Sequence, residues 1–287
     1  MKKVTSLYIV FMLLVIFMNS CSLFDAEEPI PSYLYIEDVE LVTGLDEGSN
    51  SEEITEVWVS VNSQLIGAFP LPATIPVLET GEQNITIFAG VIQNGTVGIR
   101  DIYPFYERIE VTTVLEPGKV DTIKPVTQYV DETVFVVIED FETTNLISDE
   151  QDGNINTKVI TTTNEVFEGN RSGHIILSGR DNLIEVGTNL FYEIDEISRA
   201  YIELDYKNDV TFEVGISGVS NTYFEKFYKV GVLPSEDWKK IYIDFGNDMT
   251  SMISNSAKEF QVVLRALHTD TTTTANIYLD NIKLMYR

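Results

Sequence analysis

The chain has 287 residues, 45 of them acidic and 19 basic, for a formal net charge of −26. That balance makes nucleic acid and anionic lipid headgroups poor partners, because both are held by clustered Lys and Arg. A hydrophobic content of 44% with 11% aromatic residues describes a packed protein, not a disordered acidic tail, and the length accommodates two domains. The single cysteine, Cys21, allows no disulfide within the chain, so stability rests on cores and any bound metal ion.

Taken in order, Lys2 and Lys3 precede an apolar run from Leu7 to Met18, and small Ser20 follows. This is the layout of a secretory signal peptide, and the run is too short for a membrane span, which needs about 20 residues. Met18-Asn19-Ser20-Cys21 resembles the lipobox of bacterial lipoproteins. The resemblance implies that residues 1–20 are removed and that Cys21 carries acyl chains such as palmitate on its sulfur and new N-terminus. Asp25-Ala26-Glu27-Glu28 resembles the short acidic signal that sends some lipoproteins to the outer face of the outer membrane. The expected location is therefore the outer membrane, lipid-anchored and facing the exterior; if these acids are only a tether, a periplasm-facing role gains. Residues 21–32, with Pro29 and Pro31, read as the lipidated N-terminus and a flexible tether.

From Tyr33 the pattern is one of short strands. Residues 33–42 are followed by an acidic loop, 46–53, and then by 56–62, in which Val57, Val59 and Val61 share one face. Strands are also expected over 83–89, 98–103 and 107–114, with no helical period among them. Asn62 through Gly67, Pro72 and Pro76 in the following link, and Gly81 with Ile85 and Ile87 resemble PEGA-like domains. The resemblance covers roughly residues 55–90 and implies a non-catalytic spacer or contact module over 33–130; a generic immunoglobulin-like sandwich has the same consequence.

Residues 129–133 mark the domain boundary. The second half, 134–287, opens with a buried strand over 134–142 and passes a polar stretch, 143–156. It continues through strands over 158–163, 174–178, 201–207, 211–217, 240–245, 260–266 and 276–284, with one or two helical turns over 251–258. About eight or nine strands joined by polar connections predict a jelly roll, so the whole chain is all-β: a small sandwich followed by a jelly-roll β-sandwich. Residues 139–142, 168–177, 237–244 and 277–284, in that order and spacing, resemble the galactose-binding-like jelly roll of many carbohydrate-binding modules. The resemblance implies a structural calcium held by Asp140, Glu142 and Asp280, with backbone carbonyls from the loop 168–172. The alternative is that these acids lie on solvated strand ends or pair with Lys283 and Arg171.

Sugars are bound by aromatic faces and planar polar groups. In 201–207 the set Ile202, Leu204 and Tyr206 faces one way, leaving Glu203, Asp205 and Lys207 on the other. Glu213, Gln261 and Arg265 stand opposite their own core sets, and Tyr223 and Phe224 lie beside the loop after Ser217. Glu203, Asp205, Lys207, Glu213, Tyr223, Phe224 and Arg265 are thus the expected ligand face, while Phe227 and Tyr228 read equally as core and Trp238 as an edge cover. Neither His174 nor His268 lies in a nucleophile elbow or metalloprotease motif, and no phosphate-binding loop is present, so neither catalysis nor a catalytic cofactor is expected. The expected function is a surface-exposed lipoprotein that binds glycans without catalysis, accessory to an outer-membrane uptake system. The alternative is a structural or assembly subunit that binds an envelope protein and no sugar.

Overall fold

The computed structural model describes residues 28–287. The signal segment, Cys21 and the acids Asp25 and Glu27 lie outside the described residues. The N-terminal part consists of β1 (Ser32–Ile36), β2 (Glu40–Leu41), β3 (Glu56–Val61), β4 (Gln64–Pro70), β5 (Ala73–Val77), β6 (Gly81–Ile92), β7 (Arg100–Ile102), β8 (Ile109–Leu115), β9 (Val120–Ile123) and β10 (Val126–Thr127). One sheet runs β5-β1-β9; a second runs β4-β3-β6 with β7 and β8 both on β6; β2 and β10 form a parallel pair. Alternation builds the core: Leu34 and Ile36, Val57 and Val59, Ile75, and Ile85 and Ile87 are all buried. Asn62 and Ser63, at φ 49° and 68°, make the two-residue turn between β3 and β4, where a right-handed strand twist favours positive φ at both positions.

The second part contains β11 (Val134–Glu139), β12 (Ile147–Glu150), β13 (Ile160–Thr162), β14 (Ser172–Ser178), β15 (Leu183–Thr188), β16 (Tyr192–Glu193), β17 (Ala200–Asn208), β18 (Phe212–Val219), β19 (Phe224–Val232), β20 (Ser235–Asp244), α1 (Gly246–Ser254), β21 (Glu259–Leu267) and β22 (Thr274–Tyr286). Two antiparallel sheets face each other. The first has the order β13-β14-β22-β17-β20 with β11 on β22; the second runs β12-β15-β21-β18-β19 with β16 on β21. Ile202, Leu204, Ile243, Ile277 and Leu284 of the first pack on Ile184, Val214, Ile216, Val262 and Leu264 of the second, which is the sandwich core. The chain is nearly all β, as the alternation predicts.

The helix starts five residues before the expected 251, because Gly246, Asn247 and Asp248 read as a turn. In the fold, Met249 and Met252 bury on one face, and Asp248 sits in the first turn, where the helix dipole favours a carboxylate. Among the described residues no helix is long and apolar enough to cross a membrane.

The two parts share an interface. On the outer face of the first jelly-roll sheet, Tyr201, Tyr242 and Met285 join the N-terminal core with Tyr103, Phe105, Tyr106 and Tyr129. The Tyr103 ring lies 4.6 Å from Tyr106, 5.2 Å from Tyr201 and 4.8 Å from Tyr242, centroid to centroid and edge-on in each case. Backbone joins backbone as well, with the Asn94 N–H donating to the Tyr242 carbonyl at 2.8 Å.

That interface corrects the expected ligand face. Glu203 and Asp205 have no exposure at all. Glu203 accepts the hydroxyls of Tyr103 at 2.6 Å and Tyr129 at 2.9 Å and pairs with Lys240 at 3.1 Å. Asp205 accepts from Ser51 at 2.8 Å and Asn281 at 3.0 Å. The two charges face away from the sandwich core, as the alternation requires, but the N-terminal domain covers them.

Candidate functional site: a polar trough across the second sheet

The outer face of the second jelly-roll sheet is crossed by β12, β15, β21, β18 and β19 in that order. On the edge strand β19, Phe224, Lys226 and Tyr228 point the same way, two residues apart; they stand opposite Val219, Ser217 and Gly215 of β18. Gly215 is opposite Val263 of β21, and Val263 is opposite Gly187 of β15. Gly215, Val263 and Gly187 therefore form a low floor running across the strands. Glycine inside a strand marks a close approach of other groups, and both glycines show it. A Cβ at Gly215 would lie 2.4 Å from the Phe227 carbonyl oxygen and 2.8 Å from the Tyr228 ring; one at Gly187 would meet the Gln261 and Gln151 amides at 2.6 and 2.7 Å.

Polar side chains lean over this floor. Lys226 donates to Glu185 Oε1 at 2.6 Å and to Gln151 Oε1 at 2.7 Å, and the Tyr228 hydroxyl donates to the same Glu185 oxygen at 2.7 Å. The Gln151 amide donates to Gln261 at 2.9 Å, and both amides donate to Asp149 at 2.8 Å. At the other side Arg265 pairs with Glu213 at 2.7 Å and lays its guanidinium 4.2 Å from the Tyr228 ring centroid. Burial works against the Glu185 charge, but Lys226 and the Tyr228 hydroxyl outweigh it and hold its carboxyl below the ordinary range. Burial first, and then Glu185, push the Tyr228 hydroxyl up, so it stays a donor.

Chemically this is an array of planar amides, carboxylates and a guanidinium over a flat floor, able to donate to and accept from several hydroxyl groups at once. Its ion pairs remain partly exposed, at 20% for Lys226 and 23% for Glu185. Pairs of that kind are worth about 0–1 kcal/mol, so a ligand exchanges them at little cost.

Of the expected ligand residues, Glu213 and Arg265 lie in this trough. Phe224, 67% exposed, stands at its open edge, and Tyr223, just before β19, donates its hydroxyl to Glu225. Lys207 lies on the other sheet, paired with Glu165 at 2.9 Å. Glu203 and Asp205 are under the N-terminal domain. Sequence reasoning missed Glu185, Lys226, Asp149 and Gln151 and left Tyr228 open between face and core. The available signals were the two strand glycines and the two-residue spacing of Phe224, Lys226 and Tyr228.

Asp140, Glu142 and Asp280 line one cavity of about 250 Å³, together with Ser49 and Glu168. Their hard oxygens suit calcium. Burial pushes the Asp280 carboxyl up to about 7, with Asp205 a smaller cause in the same direction. The carboxylates do not converge, however. Glu142 accepts the N–H groups of Asn170 at 2.6 Å and Arg171 at 2.9 Å, Asp140 accepts that of Glu142 at 3.0 Å, and Asp280 accepts that of Asn281 at 3.0 Å. Among the described residues no group of three or more His, Cys, Asp or Glu is placed to hold a metal.

Sandwich and trough together describe an all-β protein with a polar face on its second jelly-roll sheet. No protein-family model and no curated protein matches the sequence. The chain is similar in fold to solved carbohydrate-binding modules. One, from work on the promiscuous specificity of modules of the β-sandwich superfamily, is 13% identical over 90% of this chain and 99% of its own, with a TM-score of 0.40. The C-terminal family 22 module of Clostridium thermocellum Xyn10B is 12% identical over 55% of this chain and 97% of its own, at 0.39. A family 61 module in complex with β-1,4-galactotriose is 8% identical over 55% and 90%, at 0.30.

Proposed function

We propose that this protein binds glycans without catalysis through the trough on the second jelly-roll sheet, displayed as a lipid-anchored protein on the outer membrane. The observation that carries the reading is the pair of strand-interior glycines under a hydrogen-bonded array of Asp149, Gln151, Glu185, Gln261, Arg265 and Tyr228. A sheet face with alternating donors and acceptors suits a row of sugar hydroxyls, and Phe224 at the rim offers a stacking edge. The PEGA-like N-terminal domain serves as a rigid spacer. A lipid on Cys21 and the acids that follow it supply the address.

The test is glycan-array binding by the soluble chain beginning at Ser22, followed by titration of any hit against Glu185→Ala and Arg265→Ala. Each variant is expected to weaken binding about ten-fold or more, equivalent to about 1.4 kcal/mol, while keeping the parent melting temperature. Undiminished binding by both variants removes the trough from the proposal. Calcium at the cavity of Asp140, Glu142 and Asp280 is a separate part of the reading. It requires Glu142 to turn from its backbone partners, and an unchanged melting temperature on calcium titration rejects it.

A further inference from the structure

We propose that the cavity beside Tyr278 and Lys207 is a second saccharide site, on the opposite sheet from the trough, and that it takes a neutral pyranose residue. The cavity has a volume of about 590 Å³ and is lined by Lys207, Asp209, Glu236, Asn276 and Tyr278, all from the jelly roll. It occupies the part of the first sheet that the N-terminal domain leaves open. A single residue, Tyr206, separates the covered Asp205 from the open Lys207 on β17.

The register places His174, Tyr278 and Lys207 side by side on β14, β22 and β17. The His174 ring stacks on Tyr278 at 4.2 Å and 16°. One face of the tyrosine is thereby backed, and the other is left for the cavity on the Lys207 side. An aromatic ring fixed in this way is a wall on which the C–H face of a sugar stacks.

The polar groups around it are also fixed. The Asn276 side chain donates to Asp209 at 3.0 Å, its backbone N–H donates to the same carboxylate at 2.6 Å, and its Oδ1 lies 3.0 Å from His174 Nε2. Lys207 is held by Glu165. Preset acceptors and a single restrained cation suit hydroxyl groups. With Asp209, Glu236 and Glu165 facing one lysine, the local field is negative, and an acidic sugar is repelled.

The site stands independently of the trough, because the two lie on back-to-back sheets and share no residue. If both are filled, one domain holds two glycan segments, and the second engagement is favoured by local concentration.

The chain has two tryptophans, so Trp58→Phe in the full chain leaves Trp238 as sole reporter. Trp238 lies on the same strand as Glu236 and packs on Phe167 with ring centroids 5.6 Å apart. Titration of this protein with neutral xylo-, gluco-, manno- and galacto-oligosaccharides is expected to give a saturable fluorescence change with at least one series and none with oligogalacturonate. Tyr278→Leu, and separately the exposed Glu236→Lys, should each weaken that response about ten-fold or more. Glu185→Ala in the trough should leave it unchanged. The proposal is overturned if no neutral series alters the signal, if Glu236→Lys leaves the response intact, or if oligogalacturonate binds as well. Loss of trough binding in the same preparations bears only on the trough.

Discussion

Glu203 carries a negative charge with no solvent contact. Burial alone would keep it protonated, yet Lys240, Lys283 and the Tyr103 hydroxyl together bring its pKa below the ordinary carboxylate value. Lys283, by contrast, loses more to burial than it gains from Glu203, and its pKa falls to about 8. Glu203→Gln leaves the buried Lys240 ammonium without its 3.1 Å partner and is expected to cost about 3–5 kcal/mol in urea unfolding at neutral pH. The folded pKa of Glu203 lies below the unfolded one, so its stabilisation is present above about pH 4.5 and is lost as pH falls through the folded value. The Gln variant should lack that part of the acid slope, and equal slopes in both proteins would refute the assignment. The trough glycines make a second contrast. Gly215→Ala drives a methyl into a backbone oxygen and is expected to destabilise by about 1–3 kcal/mol, whereas Gly187→Ala meets only side-chain amides. Gly187→Ala should therefore fold near normally and lose glycan binding, as read by melting temperature and titration.

Among the elements, β17 shows most clearly how far alternation reaches. The split of Ile202 and Leu204 from Glu203 and Asp205 was legible because side chains on a strand alternate. What covers the second face was not, since an acid beside water and an acid beside a lysine on another strand look the same in sequence. The same strand gives a direct comparison in denaturant unfolding. Leu204→Ala on the inner face should cost about 2–5 kcal/mol, and Lys207→Ala in the open half about 0.5 kcal/mol or less. Similar costs for the two would contradict the orientation described. On β19 the register shift between Val214 and Gly215 breaks the two-residue period after Tyr228, so Phe227, Tyr228 and Val230 do not read as one alternating strand. For that reason the trough's edge strand read as a loop, while the outward side of Glu213 and Arg265, on strands of unbroken period, was legible.

At the scale of the molecule the two domains behave as partners in one fold. Tyr201, Tyr242 and Met285 belong to the N-terminal hydrophobic core although they lie on jelly-roll strands. A chain of residues 133–287 alone would expose those side chains and hydrate Glu203, Lys240 and Lys283. It is expected to melt below the full chain and to bind a hydrophobic dye; an unchanged melting temperature would show the interface to be dispensable. The fixed interface also sets where the trough points. It does not swing on a linker, so its direction is fixed relative to the N-terminal sandwich.

Tyr103, Tyr106, Tyr129 and Tyr242 give this interface an optical signature. Burial first, and the nearby Glu203 charge second, push all four hydroxyls well above 10. These four stay protonated until the domains part. A slow phase of ultraviolet absorbance after an alkaline jump would thus time the opening of the interface, without a label and separately from the loss of strand signal.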